Sequence, residues 1–173
     1  MQDFQFNTSQ ALRFGEGSSV NSCNEIINQL GSNIFFITDK GLMSLGLTKP
    51  TIVELEKNSK VKIFDKVEAD PSRNTLLKAI DDAKSFKATG IVGFGGGSSM
   101  DIAKLVALIL GSNEDLDEVW GVANAKGPRL PLVLIPTTAG TGSEVTPISI
   151  ITVENDEKRG VSSSLILPDL SIL

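Results

Sequence analysis

The chain has 173 residues, 40% hydrophobic and 21% charged, which suits one folded α/β unit with a real core and excludes a disordered chain. Its net charge of −5 excludes an electropositive surface for nucleic acid. With no histidine and no tyrosine, the chain cannot itself supply imidazole acid–base chemistry or a histidine-based zinc or iron site.

The opening residues are polar and include Asp3, unlike a signal peptide. The longest apolar run, Leu105 to Leu110, is too short to span a bilayer, so no membrane partner is expected. The one cysteine, Cys23, cannot form an internal disulfide and suits a reducing compartment; a cytoplasmic location is expected. Ala11 to Phe14 reads as a short strand. Ser18 to Leu30 has apolar residues at helical spacing and predicts one helix, ended by Gly31. Asn33 to Thr38 is a buried strand with Asp39 at its C-terminal end. Gly41 to Leu47 predicts a short helix or turn, and Lys49-Pro50 opens another helix that ends near Lys57. Val61 to Phe64 is a third strand. Asp70-Pro71-Ser72 is a turn that starts the helix Asn74 to Lys87.

The stretch from Ile91 to Lys104 organises the rest. An apolar strand, Ile91 to Phe94, runs into Gly95, Gly96 and Gly97, and Ser98 starts a helix to about Leu110 that is apolar nearly all round. Strand, glycine turn and helix form a cradle for phosphate, because glycine admits close approach and the helix N-terminus offers free N–H groups. The same residues could also serve as a tight turn and cap alone, with Ser98 as the cap and Asp101 completing a capping box. Gly93-x-Gly95-x-x-Ser98 lacks the third glycine of the dinucleotide fingerprint, and no G-x-x-x-x-G-K-[ST] occurs.

Beyond this helix, Leu116 to Trp120 predicts one helical turn, Lys126 to Pro131 a turn-rich link, and Leu132 to Ile135 a fifth strand. Pro136 to Thr146 then gathers Thr137, Thr138, Thr141 and Ser143 with Gly140 and Gly142. Hydroxyls beside exposed backbone N–H groups suit a pyrophosphate or a sugar, although an ordinary polar loop has the same composition. Ser149 to Glu154 and Lys158 to Ser163 form a hairpin, and Leu170 to Leu173 starts another strand. The alternation predicts an α/β fold: a Rossmann-like, mostly parallel sheet with helices on both faces. Ligands bind such sheets at the C-terminal strand ends, where Asp39 and both loops lie. Asp39 can accept from the hydroxyls of an adenosine ribose and would repel a 2′-phosphate, which favours NAD over NADP; a solvated carboxylate beside Lys40 is the plainer alternative.

Asp39-Lys-Gly-Leu, Gly95-Gly-Gly-Ser-Ser-Met-Asp-Ile-Ala-Lys104, Ile135-Pro-Thr-Thr-Ala-Gly-Thr-Gly-Ser-Glu-Val-Thr146 and Phe14-Gly-Glu-Gly together resemble the iron-containing (group III) alcohol dehydrogenases, of the dehydroquinate synthase-like fold. The resemblance covers essentially the whole chain. It implies an NAD(P)-binding domain over residues 1–173, with the pyrophosphate at Gly96, Gly97 and Ser98. Adenine and ribose would be held by Thr137, Thr138 and Thr141, and the nicotinamide side by Thr146, Ile148 and Lys158. It also implies a helical domain after Leu173 holding an Fe or Zn divalent metal through one aspartate and three histidines; that domain is not in this chain. No catalytic or metal-binding role is carried onto any residue here, Asp169 included. The family often has Asn-Pro-Thr where this chain has Asp70-Pro71-Ser72, which puts that cofactor contact in doubt. The parent enzyme would move a hydride between a small alcohol or aldehyde and NAD(P), and the resemblance suggests a homo-oligomer. Three alternatives stay open: a maleylacetate reductase or hydroxyacid-oxoacid transhydrogenase, a lyase like dehydroquinate synthase, and a non-catalytic nucleotide-binding remnant.

Overall fold

A computed structural model describes residues 7–173, so the expectation about the start of the chain through Asp3 lies outside the described residues. In chain order the elements are β1 (Ala11–Arg13), α1 (Ser18–Asn21), α2 (Cys23–Leu30), β2 (Asn33–Ile37), α3 (Lys40–Ser44), α4 (Lys49–Glu56), β3 (Lys60–Phe64), α5 (Arg73–Phe86), β4 (Gly90–Gly95), α6 (Gly97–Ser112), β5 (Gly121–Val122), β6 (Leu132–Pro136), β7 (Ile148–Thr152), β8 (Lys158–Ser162) and β9 (Leu170–Ile172). Short 3-10 turns occupy Ser143–Val145, Glu154–Asp156 and Ser164–Ile166.

The main sheet has six strands in the order β1-β9-β6-β4-β2-β3, all parallel. Its strands alternate between two cores, as a period of two requires. Phe35, Ile37, Ile91, Leu132 and Leu134 pack with α5 and α6 on one face. Ile34, Phe36, Val92, Phe94, Val133 and Ile135 pack with α2 and α4 on the other. Burial on both faces is why these strands read as unbroken apolar runs. Glycine is required at Gly93, where a Cβ would lie 2.7 Å from the Ala103 Cβ and 2.8 Å from Leu134, so α6 can lie close on β4 only without it.

Strand order reverses between β2 and β4: the chain runs outward from β2 to β3, then returns past β2 to β4, β6 and β9. A crevice opens at such a switch point, beyond the C-terminal strand ends. A second, three-stranded sheet, β5-β8-β7, holds the expected hairpin as the antiparallel pair β7–β8 and stands beside that crevice. Among the described residues no helix is long and apolar enough to cross a membrane.

Three local expectations are corrected. The helix predicted over Ser18 to Leu30 divides into α1 and α2 at Ser22, whose backbone (φ −89°, ψ 4°) leaves the helical region. Leu116 to Trp120 forms a turn, closed by an Asp115 carboxylate that accepts from the Asp117 N–H and by Trp120 Nε1 donating to Asp117. The capping box on α6 does not form: Gly96 is the N-cap, and no side chain caps the helix.

Candidate dinucleotide cleft

The glycine turn departs from β4 with Gly95 at φ +152°, a conformation that side-chain-bearing residues rarely adopt, and a Cβ there would also meet Ser99 Oγ at 2.7 Å. With no side-chain cap, the N–H groups of the first turn of α6 are left for another acceptor. This helix has 16 residues, and its N-terminus opens into the crevice between two clefts that share Ser98 as lining. Ser98 therefore stands at the cleft junction, where a cap had been expected.

The first cleft, of about 700 Å³, brings together Asp39, Gly96, Ser98, Thr137 and Thr138. Leu42 and Leu45 add an apolar wall. The segment from Asp65 to Ala69 lines the same cleft. Sequence reasoning missed that segment, although its place at the C-terminal end of β3 was the available signal. Asp39 caps α3, accepting from the Leu42 N–H at 2.9 Å through Oδ1, and still lines the cleft. A carboxylate can accept several hydrogen bonds, so the cap leaves capacity for a ribose hydroxyl.

The second cleft, of about 590 Å³, brings together Gly97, Ser98, Thr141, Thr146, Ile148 and Lys158, with Asp70, Pro71 and Asp101. Thr141 thus falls with the residues assigned to the nicotinamide side rather than with Thr137 and Thr138. Gly97 keeps this wall close: a Cβ on it would lie 3.2 Å from Thr141 Cγ2. Ile148, 44% exposed, offers an apolar surface within the cleft. Lys158 Nζ pairs with Asp70 Oδ1 at 2.5 Å at the rim. Ser72, next to this turn, caps α5 by accepting from the Thr75 N–H.

Behind the second cleft lies a polar network not foreseen from sequence. Lys104, with a side chain 0% exposed, donates to Ser143 Oγ at 2.9 Å, to the Thr146 carbonyl at 2.9 Å and to the Ile148 carbonyl at 2.8 Å. Asp101 accepts from Ser143 Oγ at 2.7 Å and from the Ile150 N–H at 3.0 Å, and its own carbonyl accepts from Ser149 Oγ. Burial lowers the Lys104 pKa to about 8, against the opposing pull of Asp101 and Glu144. Burial likewise raises the Asp101 carboxyl above its usual range, only partly offset by the Ile150 N–H, Lys104 and the Ser143 hydroxyl. The available signal was a lysine within the otherwise apolar stretch Ile102 to Leu110 of that helix, since charges are rarely buried unless paired.

Among the described residues no three acidic, cysteine or histidine side chains cluster as metal ligands do, so these residues do not fit a metal. Asp169 is committed elsewhere: Arg129 meets it at 2.6 Å and 2.9 Å, and the Leu132 N–H donates to it at 2.8 Å.

Sulfoacetaldehyde reductase of Bilophila wadsworthia (strain 3_1_6) is 36% identical over 172 residues, 98% of this chain and 44% of that protein. The mitochondrial hydroxyacid-oxoacid transhydrogenase of Xenopus tropicalis is 32% identical over 170 residues, 94% of this chain and 37% of that protein. The crystal structure of a 1,3-propanediol oxidoreductase superposes with a TM-score of 0.93 at 30% identity, covering 99% of this chain and 45% of that one. Sulfoacetaldehyde reductase from Bifidobacterium kashiwanohense, solved in complex with NAD+, superposes with a TM-score of 0.86 at 25% identity, over 99% of this chain and 46% of that one. The chain thus spans less than half the length of these relatives. The family model for iron-containing alcohol dehydrogenases matches residues 9–173, and the chain belongs to that family.

Proposed function

We propose that this chain is the dinucleotide-binding portion of an oxidoreductase that moves a hydride between a small alcohol or aldehyde and NAD. The observation that carries this reading is the meeting of Asp39, the turn Gly96–Ser98 and the loop Thr137–Thr146 around one uncapped helix N-terminus. Asp39 accepts from the adenosine ribose, with Thr137 and Thr138 alongside. The backbone N–H groups of Gly97 and Ser98 take the pyrophosphate, where helix dipole and free donors favour negative charge. Thr141, Thr146, Ile148 and Lys158 orient the nicotinamide side in the second cleft. When bound, the cofactor supplies the carbon that exchanges hydride; the residues here bind and orient it. Because the residues present do not form a metal site, no step through a metal is assigned to this chain.

Titration with NADH, followed by its fluorescence, tests the reading. Saturable binding with weaker binding of NADPH is expected. No saturable binding of either nucleotide would overturn it.

A further inference from the structure

We propose that Lys104 is the positioning residue of the dinucleotide cleft: from behind the wall it ties the segment Ser143–Ile148 to α6 and so holds Thr146 and Ile148 where the nicotinamide side must sit. The inference rests on the dinucleotide reading above and extends it to a residue that touches no ligand. Thr146 and Ile148 line the second cleft, while their backbone carbonyls accept from Lys104 on its other side. Ser143, the third acceptor, donates its own hydroxyl hydrogen bond to Asp101, one turn earlier on α6. One turn of the helix whose N-terminus meets the pyrophosphate thereby grips the opposite wall from Ser143 to Ile150.

The ammonium is the form that satisfies all three acceptors of this site. It has three donors and no lone pair, and it faces three acceptors in a fully enclosed space. A neutral amine has only two N–H groups and turns a lone pair toward one of those oxygens. One bond is lost, and the wall is freed at that point.

The charges near Lys104 are Asp101 on its own helix and Glu144 on the adjoining 3-10 turn. The strands β4, β6 and β7, which pack on α6, carry no charged residue. The charged groups of α5 are exposed (Lys78, Asp81, Lys84) or paired elsewhere, Arg73 with Asp117 and Asp82 with Lys62. Lys104 is therefore the enclosed group that titrates near pH 8. A bound dinucleotide brings negative phosphates to the start of α6 and raises that value in the complex. The sign follows: affinity is full below about pH 8 and falls above it, by at most about tenfold per pH unit for one linked proton.

The test is NADH titration of the chain from pH 6.5 to 9.5, as wild type, Lys104→Met and Lys158→Ala. Wild type should bind with constant affinity to about pH 8 and then weaken. Lys104→Met should raise Kd at least tenfold at pH 7 and lose the pH dependence. Lys158→Ala, which removes the other ammonium at the cleft, should weaken binding yet keep the fall above pH 8. Wild-type affinity flat across this range, or a Lys104→Met chain that binds as wild type does, overturns the role while leaving the dinucleotide reading intact. Absence of NADH binding by wild type overturns both. Should Lys104→Met fail to fold by circular dichroism, the wild-type and Lys158→Ala profiles decide: a shared fall above pH 8 supports the role, and its loss in Lys158→Ala overturns it.

Discussion

Asp70 and Lys158 lie 88 positions apart in sequence and meet at 2.5 Å on the rim of the second cleft. Their side chains are 80% and 47% exposed, so solvent screens the pair and it adds little to stability. Its consequence is for the site, because Asp70 engages the ammonium that the dinucleotide reading assigns to the cofactor. Asp70→Asn should leave the melting temperature nearly unchanged, a difference within about 1 kcal/mol. It should tighten NADH binding a few-fold by releasing Lys158 and removing a carboxylate from the rim. Weaker binding by Asp70→Asn in calorimetry would mean that the carboxylate itself holds the cofactor.

Gly97 separates folding from binding. Its backbone is helical and needs no special angle, so a side chain is excluded only by Thr141, 3.2 Å from the position of a Cβ. Gly97→Val should keep the fold, as read by circular dichroism, and weaken NADH at least tenfold by filling the gap between α6 and the threonine loop. Undiminished affinity would remove the glycine turn from the site.

Asp39 has two roles that two substitutions tell apart. Asp39→Ala removes the cap on Leu42 and should cost about 1 kcal/mol in stability. Asp39→Asn keeps an oxygen for the cap and removes the charge. Both should narrow the preference for NADH over NADPH, with only the alanine variant losing stability. An unchanged cofactor ratio in both would leave Asp39 as a cap alone.

Arg129 and Asp169 form a part-buried bidentate pair that also anchors the start of β6 through the Leu132 N–H. Arg129→Met strands a carboxylate and the Leu167 carbonyl that Arg129 serves, and should cost on the order of 3 kcal/mol by urea denaturation. A loss below about 1 kcal/mol would place this pair with the ordinary surface pairs.

Lys104 also predicts a stability trend opposite in sign to its effect on affinity. Its folded pKa is depressed from 10.5 to about 8, so between those values the unfolded chain holds a proton that the folded chain has released. The stability of wild type relative to Lys104→Met should therefore rise with pH across that window, by on the order of 1–3 kcal/mol. Denaturant titrations of both chains at pH 7 and pH 10 check the sign; a relative loss on raising the pH would contradict it.

Much of this architecture was legible because sheet burial leaves a plain mark. Ile34 to Ile37, Ile91 to Phe94 and Leu132 to Ile135 are apolar on both faces, and the strands stand where those runs stand. The two loops were legible because glycine and hydroxyl residues crowd there, and both loops line the clefts. The strand order was not, since no local pattern records which strands neighbour one another. Ser98 and Asp101 formed a plausible capping box on paper. In the fold Gly96 takes the cap through its backbone, and Asp101 is drawn to Ser143 and Ile150. The partners of Lys104 were hidden for a similar reason: two of them are backbone carbonyls, which carry no side-chain signature.

The central claim is that two turns at the sheet's C-terminal edge grip one dinucleotide around the start of α6. An amide NMR titration of the chain with NADH tests it most directly. Saturable shifts concentrated at Gly95–Ser99, Leu42 and Thr137–Ile148 are predicted. Saturable shifts confined to another surface, with the amides of Gly97 and Ser98 unmoved, would contradict it.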